Sequence, residues 1–543
     1  MKFLKVFAAP VAAALLATAG QAQTAADQGA VQRIRADVEF LASDLLEGRD
    51  TGSRGFDIAA SFVAKRFQSL GLKPGGENGT WYQQVPFRRA TTVGTPTVSL
   101  VTRQGRTPLV SGNDFAVRPS LLQKNRQFEA GIVFVGHGLV DQRLGLNDYA
   151  GLDARGKIVV ALPGTPKGLA SDVASHLGSM KDDYAAERGA IAYIELPSGK
   201  GPPPPQNALA PVAALPVINW VDAQGATGAG IAAGLTRIAI SDATAVRLFE
   251  SSRRGLAAVR RDAQASKRVR GFDLTSRLAV QSTSDWTDFK SPEVIGVIPG
   301  SDASLAAEHI VLTAHLDHIG IKANAKPGED AINNGALDNA SGIATMLEAA
   351  RSFAQSGKPP RRTVLFIAHT GEEKGLLGAD YYAAHPTVPI GQIVGLVNLD
   401  MPLLLYDFRD VIAFGAEHST LADAVADAGR QMGVATADDP MPEEGLFVRS
   451  DHYRFVTRGV PSVFLMTGYA NGGEAKWKSF LGGVYHSPRD DVSQAIDWNA
   501  AGRFGELNYR IARTLADADE RPKWYRNSYF GQTFGGNQPR AAR

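Results

Sequence analysis

Five short stretches of this 543-residue chain carry side chains that can bind a cation or move a proton: His315-Leu316-Asp317, Asp338-Asn339, Glu372-Glu373, Asp400 in NLDM, and His486 in YHSPRDD. Each is ordinary by itself. A histidine at a strand end is usually capped or solvated. An adjacent glutamate pair usually opens a helix, where the positive dipole end favours negative charge. Asp-Asn-Ala-Ser usually forms a cap or turn. Their placement is what matters. His315 ends the apolar run HIVLTAH, Glu372 and Glu373 follow TVLFIAH, and Asp400 ends IVGLVNLD. In open α/β sheets ligands gather outside the carboxyl ends of the strands. Three strand ends therefore aim His, Glu and Asp at one crevice. Two imidazoles and three carboxylates make a nitrogen and oxygen donor set that suits two divalent metals bridged by one carboxylate. Neighbouring cations would also let adjacent carboxylates stay ionised together.

The elements that must hold these groups alternate in type. From about residue 294, EVIGVIPG and HIVLTAH predict strands. Residues 341–353 predict a helix with Ile343, Met346, Leu347, Ala350 and Phe353 on one face. TVLFIAH, a helix over 376–384, IVGLVNLD, VIAFG, a helix over 421–432 and PSVFLMTG follow. This alternation means an α/β fold with a mostly parallel central sheet flanked by helices. Upstream, Val31, Ile34, Val38, Leu41 and Leu45 mark one helix, and 56–70 a second that Gly71 stops. Between these parts lie short β-rich runs: TVSLVT, GIVFVGHG, KIVVALPG, AIAYIEL, ALPVINW and TRIAIS. The GPPPP run at 201–205 suits only an extended loop. We read 23–94 as N-terminal helices of the α/β domain, 95–285 as an inserted, mostly β domain, and 286–523 as the rest of the α/β domain. Residues 524–543, rich in Gly, Asn and Arg, are expected to form a flexible tail.

Composition narrows the class. With 44% hydrophobic and 21% charged residues the chain is ordinary globular protein. Its formal net charge of +2, without a dense basic run, gives no reason to expect a nucleic-acid partner. Lys2 and Lys5, an apolar stretch over 6–17 and Gly20-Gln21-Ala22 read as a signal peptide over 1–22, so the protein is expected to be exported, periplasmic or secreted. An anchor helix would need roughly 20 apolar residues, and no later stretch suggests stable membrane insertion. There is no cysteine, so no disulfide forms and any metal site must use nitrogen and oxygen. The chain has neither the G-x-S-x-G of a serine hydrolase nor the H-E-x-x-H of a helix-borne zinc protease.

In order, AHLDHIG, GALDNASG, HTGEEKGLLG, NLDM, SDHYRF and YHSPRDD resemble the motifs of the co-catalytic di-zinc exopeptidases, peptidase family M28. The resemblance covers about 293–515. A second stretch, best over 133–163, resembles the protease-associated domain often inserted in that family. The resemblance implies that Asp338 bridges two metals, that His315 and Asp400 complete one site, and that Glu373 and His486 complete the other. Glu372 is then the general base and acid and binds no metal. Asp317 is expected to orient His315, and Asp490 to orient His486. The Asp338–Asn339 peptide is expected to be cis, as is usual in the family.

Chemistry agrees with these roles. Peptide hydrolysis needs a nucleophile and relief of charge on a tetrahedral oxyanion, and two metals about 3.5–4 Å apart can provide both. A proton must still leave the water and reach the departing amine, and a carboxylate committed to a metal does that poorly. Asp451 in the SDH motif is a candidate to hold the substrate amino group or to support the ligands, and Tyr453 to donate to the oxyanion. His318, His369 and His418 read as structural. The expected function is a metallo-aminopeptidase acting on peptides with two divalent ions. Zinc is the default, and cobalt or manganese suit the same ligands. Carboxypeptidase and glutaminyl cyclase activities are the alternatives on this fold, and a non-catalytic binding module is the alternative outside enzymes. A carboxypeptidase would need a basic pocket, for which Arg449 and Arg458 are candidates.

Overall fold

The computed structural model describes residues 25–199, 205–266 and 268–543. The expected signal segment, and all of the proline-rich run except Pro205, lie outside these residues. Two helices open the fold, α1 (Gln28–Leu41) and α2 (Arg54–Ser69). Then come β1 (Tyr82–Thr102), β2 (Asn125–Phe134), β3 (Ile158–Ala161), α3 (Ser171–Ser179), β4 (Ala192–Glu195), β5 (Thr236–Ile240) and β6 (Phe272–Ile298). The second half contains β7 (His309–His315), α4 (Ser341–Gln355), β8 (Thr363–His369), α5 (Leu377–Ala384), β9 (Ile393–Asn398) and β10 (Asp410–Phe414). It ends with α6 (Leu421–Met432), β11 (Ala435–Ala437), β12 (Ser462–Thr467), α7 (Trp498–Asp517) and α8 (Tyr529–Phe534).

The strands of the second half lie in the order β11-β10-β12-β9-β7-β8-β6. β7 pairs in parallel with both β8 and β9, and β9 with β12, whereas β10 runs antiparallel to β12. Every residue of β7, β8, β9 and β12 is buried. This is why these strands read as unbroken apolar runs: a central parallel strand is covered on both faces. Register places His315 beside His369, so the chemistry-bearing ends fall at one level.

β1 and β6 are much longer than ordinary strands, 21 and 27 residues, and pair antiparallel along most of their length. The last residues of β6 join β8 in the central sheet, while its first half pairs with β2. This ribbon carries the chain out of the main sheet and back. The excursion is less purely β than its sequence suggested. β2, β3, β4 and β5 form a parallel core, and helices at Ser171–Ser179, Lys181–Glu187, Asp242–Phe249 and Leu256–Gln264 accompany it. Ile34, Val38 and Leu41 of α1 and Phe56, Val63 and Phe67 of α2 share one core with β7, α4 and α7. No helix among the described residues is long and apolar enough to cross a membrane.

The last twenty residues are not a loose tail. Trp524 and Phe530 are fully buried, and Trp524 Nε1 donates to Gly459 O at 3.0 Å. Tyr529 OH donates to Asp141 Oδ2 at 2.6 Å, which ties α8 to the excursion. Glycine and arginine content suggested mobility, but two large aromatic rings outweigh it by burying apolar surface. Trp524→Ala should therefore lower unfolding stability by about 3–5 kcal/mol, read from urea denaturation. An unchanged midpoint would show that this segment contributes nothing to the fold.

Candidate metal centre

His315 is the last residue of β7 and is buried. Its Nδ1 lies 3.0 Å from Asp317 O, and its Nε2 lies 3.0 Å from Asp400 Oδ1 and 3.2 Å from Asp338 Oδ1. The other oxygen of Asp338 lies 3.3 Å from His486 Nε2, which is 3.2 Å from Glu373 Oε2. Asp338 thus faces one His-Asp group with one oxygen and one His-Glu group with the other. His486, the most open member, is 37% exposed and stacks on Tyr485 with ring centroids 3.8 Å apart. Solvent and substrate would reach the nest from that side.

The turn before α4 delivers Asp338, and its Asp338–Asn339 peptide is cis, as expected. Asn339 Nδ2 donates to Leu399 O at 2.9 Å, and Asn339 Oδ1 accepts from Gly342 N and Met401 N. Gly342 has to be glycine here, because a Cβ would lie 2.1 Å from Asn339 Oδ1 and 2.4 Å from Leu399 O. This close approach brings the start of α4 against the end of β9, and so Asp338 against Asp400.

Several supporting roles differ from expectation. The Asp317 carboxylate does not orient His315. It accepts Thr51 Oγ1 at 3.0 Å, Glu372 N at 3.1 Å and Glu373 N at 3.3 Å, while only its backbone carbonyl meets His315. Asp317 therefore fixes the glutamate turn. Asp490 likewise leaves His486 alone and accepts Leu337 N at 2.9 Å and Asp338 N at 3.0 Å, fixing the turn that carries Asp338. In both cases a short acidic side chain reaches orphan backbone donors of a tight turn more readily than a neighbouring imidazole. His318 is not remote from the chemistry: its Nδ1 lies 2.6 Å from Glu373 Oε1 and 3.9 Å from Asp338 Oδ2. The donor atoms of His315, Asp338 and Asp400 lie within 4.8 Å of one another, and so do those of His318, Asp338 and Glu373.

The SDH motif divides. Ser450 Oγ donates to Asp400 Oδ2 and accepts from Asn398 Nδ2, so this serine, which no sequence signal marks, steadies Asp400. Asp451 is fully buried, and among the described residues neither of its oxygens is hydrogen-bonded; burial pushes its carboxyl up to about 7. Burial pulls His452 down to about 3. Tyr453 faces away from the crevice, its hydroxyl 2.6 Å from His176 Nδ1 on α3, and so is not placed to serve an oxyanion. His369 is structural as expected, 2.8 Å from Glu293 Oε2. His418 lies elsewhere, near Asp172 and Glu417.

The electrostatics of the nest favour positive charge. Burial opposes ionisation of Asp338, but His318, His315 and His486 outweigh it and hold the carboxyl below the ordinary carboxylate range. Burial also opposes protonation of His486, yet Asp338 and Glu373 lift it to about 10. The cluster therefore attracts cations, and its donors are the nitrogen and oxygen set that divalent transition metals take. These residues fit a metal centre. Glu372 differs from the rest. Burial first, with Asp400, Glu373 and Asp451, pushes its carboxyl well above the usual range against the pull of His315, and its carboxylate makes no hydrogen bond or ion pair among the described residues.

A mostly parallel sheet with an imidazole–carboxylate nest at its carboxyl edge offers donor groups that could hold divalent cations. Residues 293–512 match the model of Peptidase family M28, and the chain carries a domain of that hydrolase family. An aminopeptidase from Aneurinibacillus sp. strain AM-1 has a similar fold, with TM-score 0.50, 20% identity, and coverage of 90% of this chain and 95% of that one. A probable zinc metalloprotease of Pyrenophora tritici-repentis is 45% identical over 67 residues, 12% of this chain and 15% of the relative. Leucine aminopeptidase 1 of Arthroderma gypseum is 33% identical over 131 residues, 23% of this chain and 33% of the relative. The chain thus spans a third or less of the length of these two curated relatives.

Removing the anchor of the Asp338 turn tests this support. Asp490→Ala should weaken zinc affinity about 10–100-fold, measured by competition with a chromophoric chelator. Unchanged affinity would show that the turn holds itself.

Proposed function

We propose that this chain is an exported metallo-aminopeptidase that removes N-terminal residues from peptides, with Glu372 as general base and acid. One observation carries the reading. Of two adjacent glutamates at the metal centre, Glu373 is committed to His318 and His486, while the carboxylate of Glu372 makes no hydrogen bond or ion pair among the described residues. His315, Asp338 and Asp400 would hold one divalent ion, and Asp338, Glu373 and His486 the other, with zinc the default for this donor set. Bound there, the ions supply Lewis acidity, lowering the pKa of a water and polarising the scissile carbonyl.

The chain's own groups do the rest. Glu372 accepts a proton on its free carboxylate oxygen and returns it to the leaving amine nitrogen. Its raised proton affinity suits that task, because a base must hold the proton long enough to hand it on. Asp317 fixes the backbone of both glutamates, so one faces the metals while the other faces the reaction. Ser450 steadies Asp400. The sequence candidates for a carboxylate pocket point elsewhere. Arg449 is exposed and pairs with Glu444 at 3.1 Å, and exposed Arg458 sits in the turn whose Gly459 O accepts Trp524 Nε1. Retention of the whole ligand set and of Glu372 weighs against a non-catalytic module. Export rests on the signal-like segment over 1–22.

Glu372→Gln should lower kcat by about 10²–10⁴-fold while zinc content, read by elemental analysis, stays at the parent value. Zinc loss in that variant would make Glu372 a ligand. Against paired substrates with free and blocked N-termini, the protein should cleave only the free ones. Activity should vanish with a chelator and return with zinc. Cleavage of blocked peptides from their carboxyl end would overturn the aminopeptidase reading.

A further inference from the structure

Arg49 belongs to none of the motifs above, yet it is only 1% exposed and lies beneath the metal centre. In LEGRDTG, Glu47, Gly48 and Arg49 take φ values of 52°, 69° and 50°. Consecutive left-handed residues are uncommon outside glycine, and here they fold the segment back against the end of β7. His318 N donates to Arg49 O, and Gly320 N to Gly48 O, both at 3.2 Å. Gly48 has no room for a side chain, since a Cβ would lie 2.5 Å from Asn333 O and 2.8 Å from Gly320 O.

The guanidinium spends its donors on backbone carbonyls. Nε donates to Leu316 O at 3.0 Å, Nη1 to Asn334 O at 2.6 Å and also to Leu41 O, and Nη2 to Gly335 O at 3.1 Å. Leu316 lies between His315 and Asp317. Asn334 and Gly335 begin the turn that delivers Asp338. One planar group thus spans the two loops that supply the two halves of the metal centre. Arg49 forms no ion pair among the described residues. Burial pulls its pKa down to about 10, and the charges opposing that fall are Asp490, Asp338, Asp317 and Glu373. A buried cation without a directly bonded carboxylate is costly. Here the surrounding carbonyls and the carboxylate nest offset that cost.

We propose that Arg49 is the positioning residue of the metal centre: its guanidinium locks the His315 loop to the Asp338 turn and thereby sets metal affinity. Lysine cannot replace it. An ammonium offers its donors from one point, whereas these carbonyls are met by a flat fork of separate nitrogens. The inference rests on the metal-binding part of the proposed function.

The test is the zinc affinity of Arg49→Lys, measured by chelator competition on metal-stripped protein, beside Arg362→Lys as control. Arg362 is also 1% exposed but donates to Leu515 O and Glu308, away from the centre. Arg49→Lys should fold and bind zinc about 10–100-fold more weakly, with excess zinc restoring occupancy. Arg362→Lys should shift the unfolding midpoint and keep the parent zinc affinity. Parent-like affinity in Arg49→Lys, or a loss no larger than in the control, overturns the proposal. If Arg49→Lys does not fold, Arg49→Gln carries the same comparison, and failure of both to fold also overturns it, because the role would then be global stability. A parent chain that binds no zinc overturns this proposal together with the metal centre. A parent that binds zinc but cleaves no peptide overturns only the aminopeptidase reading.

Discussion

Crowded negative charge is the constraint around which this structure is arranged. Asp317, Asp338, Glu373, Asp400 and Asp490 converge on one largely buried place, with Glu372 at their edge. Such a cluster is unstable unless each oxygen meets a donor or a cation. The protein divides the compensation. Asp317 and Asp490 take backbone N–H groups, Asp400 takes a serine hydroxyl, and Asp338 and Glu373 face imidazoles. Among the described residues the Glu372 carboxylate takes none of these donors, and the proposed base role rests on that.

The fold supplies the crowding. Parallel strands β7, β8 and β9 end at one level, so the loops that follow them must meet. The turn before α4 is pulled against β9 by Asn339, which bonds to the backbone of Leu399, Gly342 and Met401. The long β1–β6 ribbon then carries a second α/β layer away from the sheet, and α3 of that layer returns to the helix just after Asp451 through His176 and Tyr453. The C-terminal segment closes the same joint from the other side, through Tyr529 and Asp141. The crevice therefore sits in a frame braced by three separated parts of the chain.

Much of this was legible in the sequence. Unbroken apolar strands and amphipathic helices revealed the α/β layer, because burial on two faces leaves a clear hydrophobic signature. Strand ends that share an edge brought His315, the glutamate pair and Asp400 together, and the family resemblance added Asp338 and His486 as ligands. Supporting contacts were not legible. The resemblance pairs Asp317 and Asp490 with histidines, but both carboxylates meet backbone donors of tight turns instead. His318 read as structural because its position depends on the backbone bond from its own N–H to Arg49 O, a contact between residues far apart in sequence. Arg49 had only a short Gly-Arg turn to mark it. In the C-terminal segment glycine and arginine content suggests mobility, but Trp524 and Phe530 decide the packing.

The central claim is that Asp338 joins two cation sites while Glu372 stays free beside them. Anomalous diffraction at the zinc edge, from crystals of the full chain grown with zinc, addresses it most directly. The account predicts two anomalous peaks per chain, one on each side of the Asp338 carboxylate, one touching His315 and Asp400 and the other touching Glu373 and His486, with neither within bonding distance of Glu372. A single peak, or one ligated by Glu372, would contradict it.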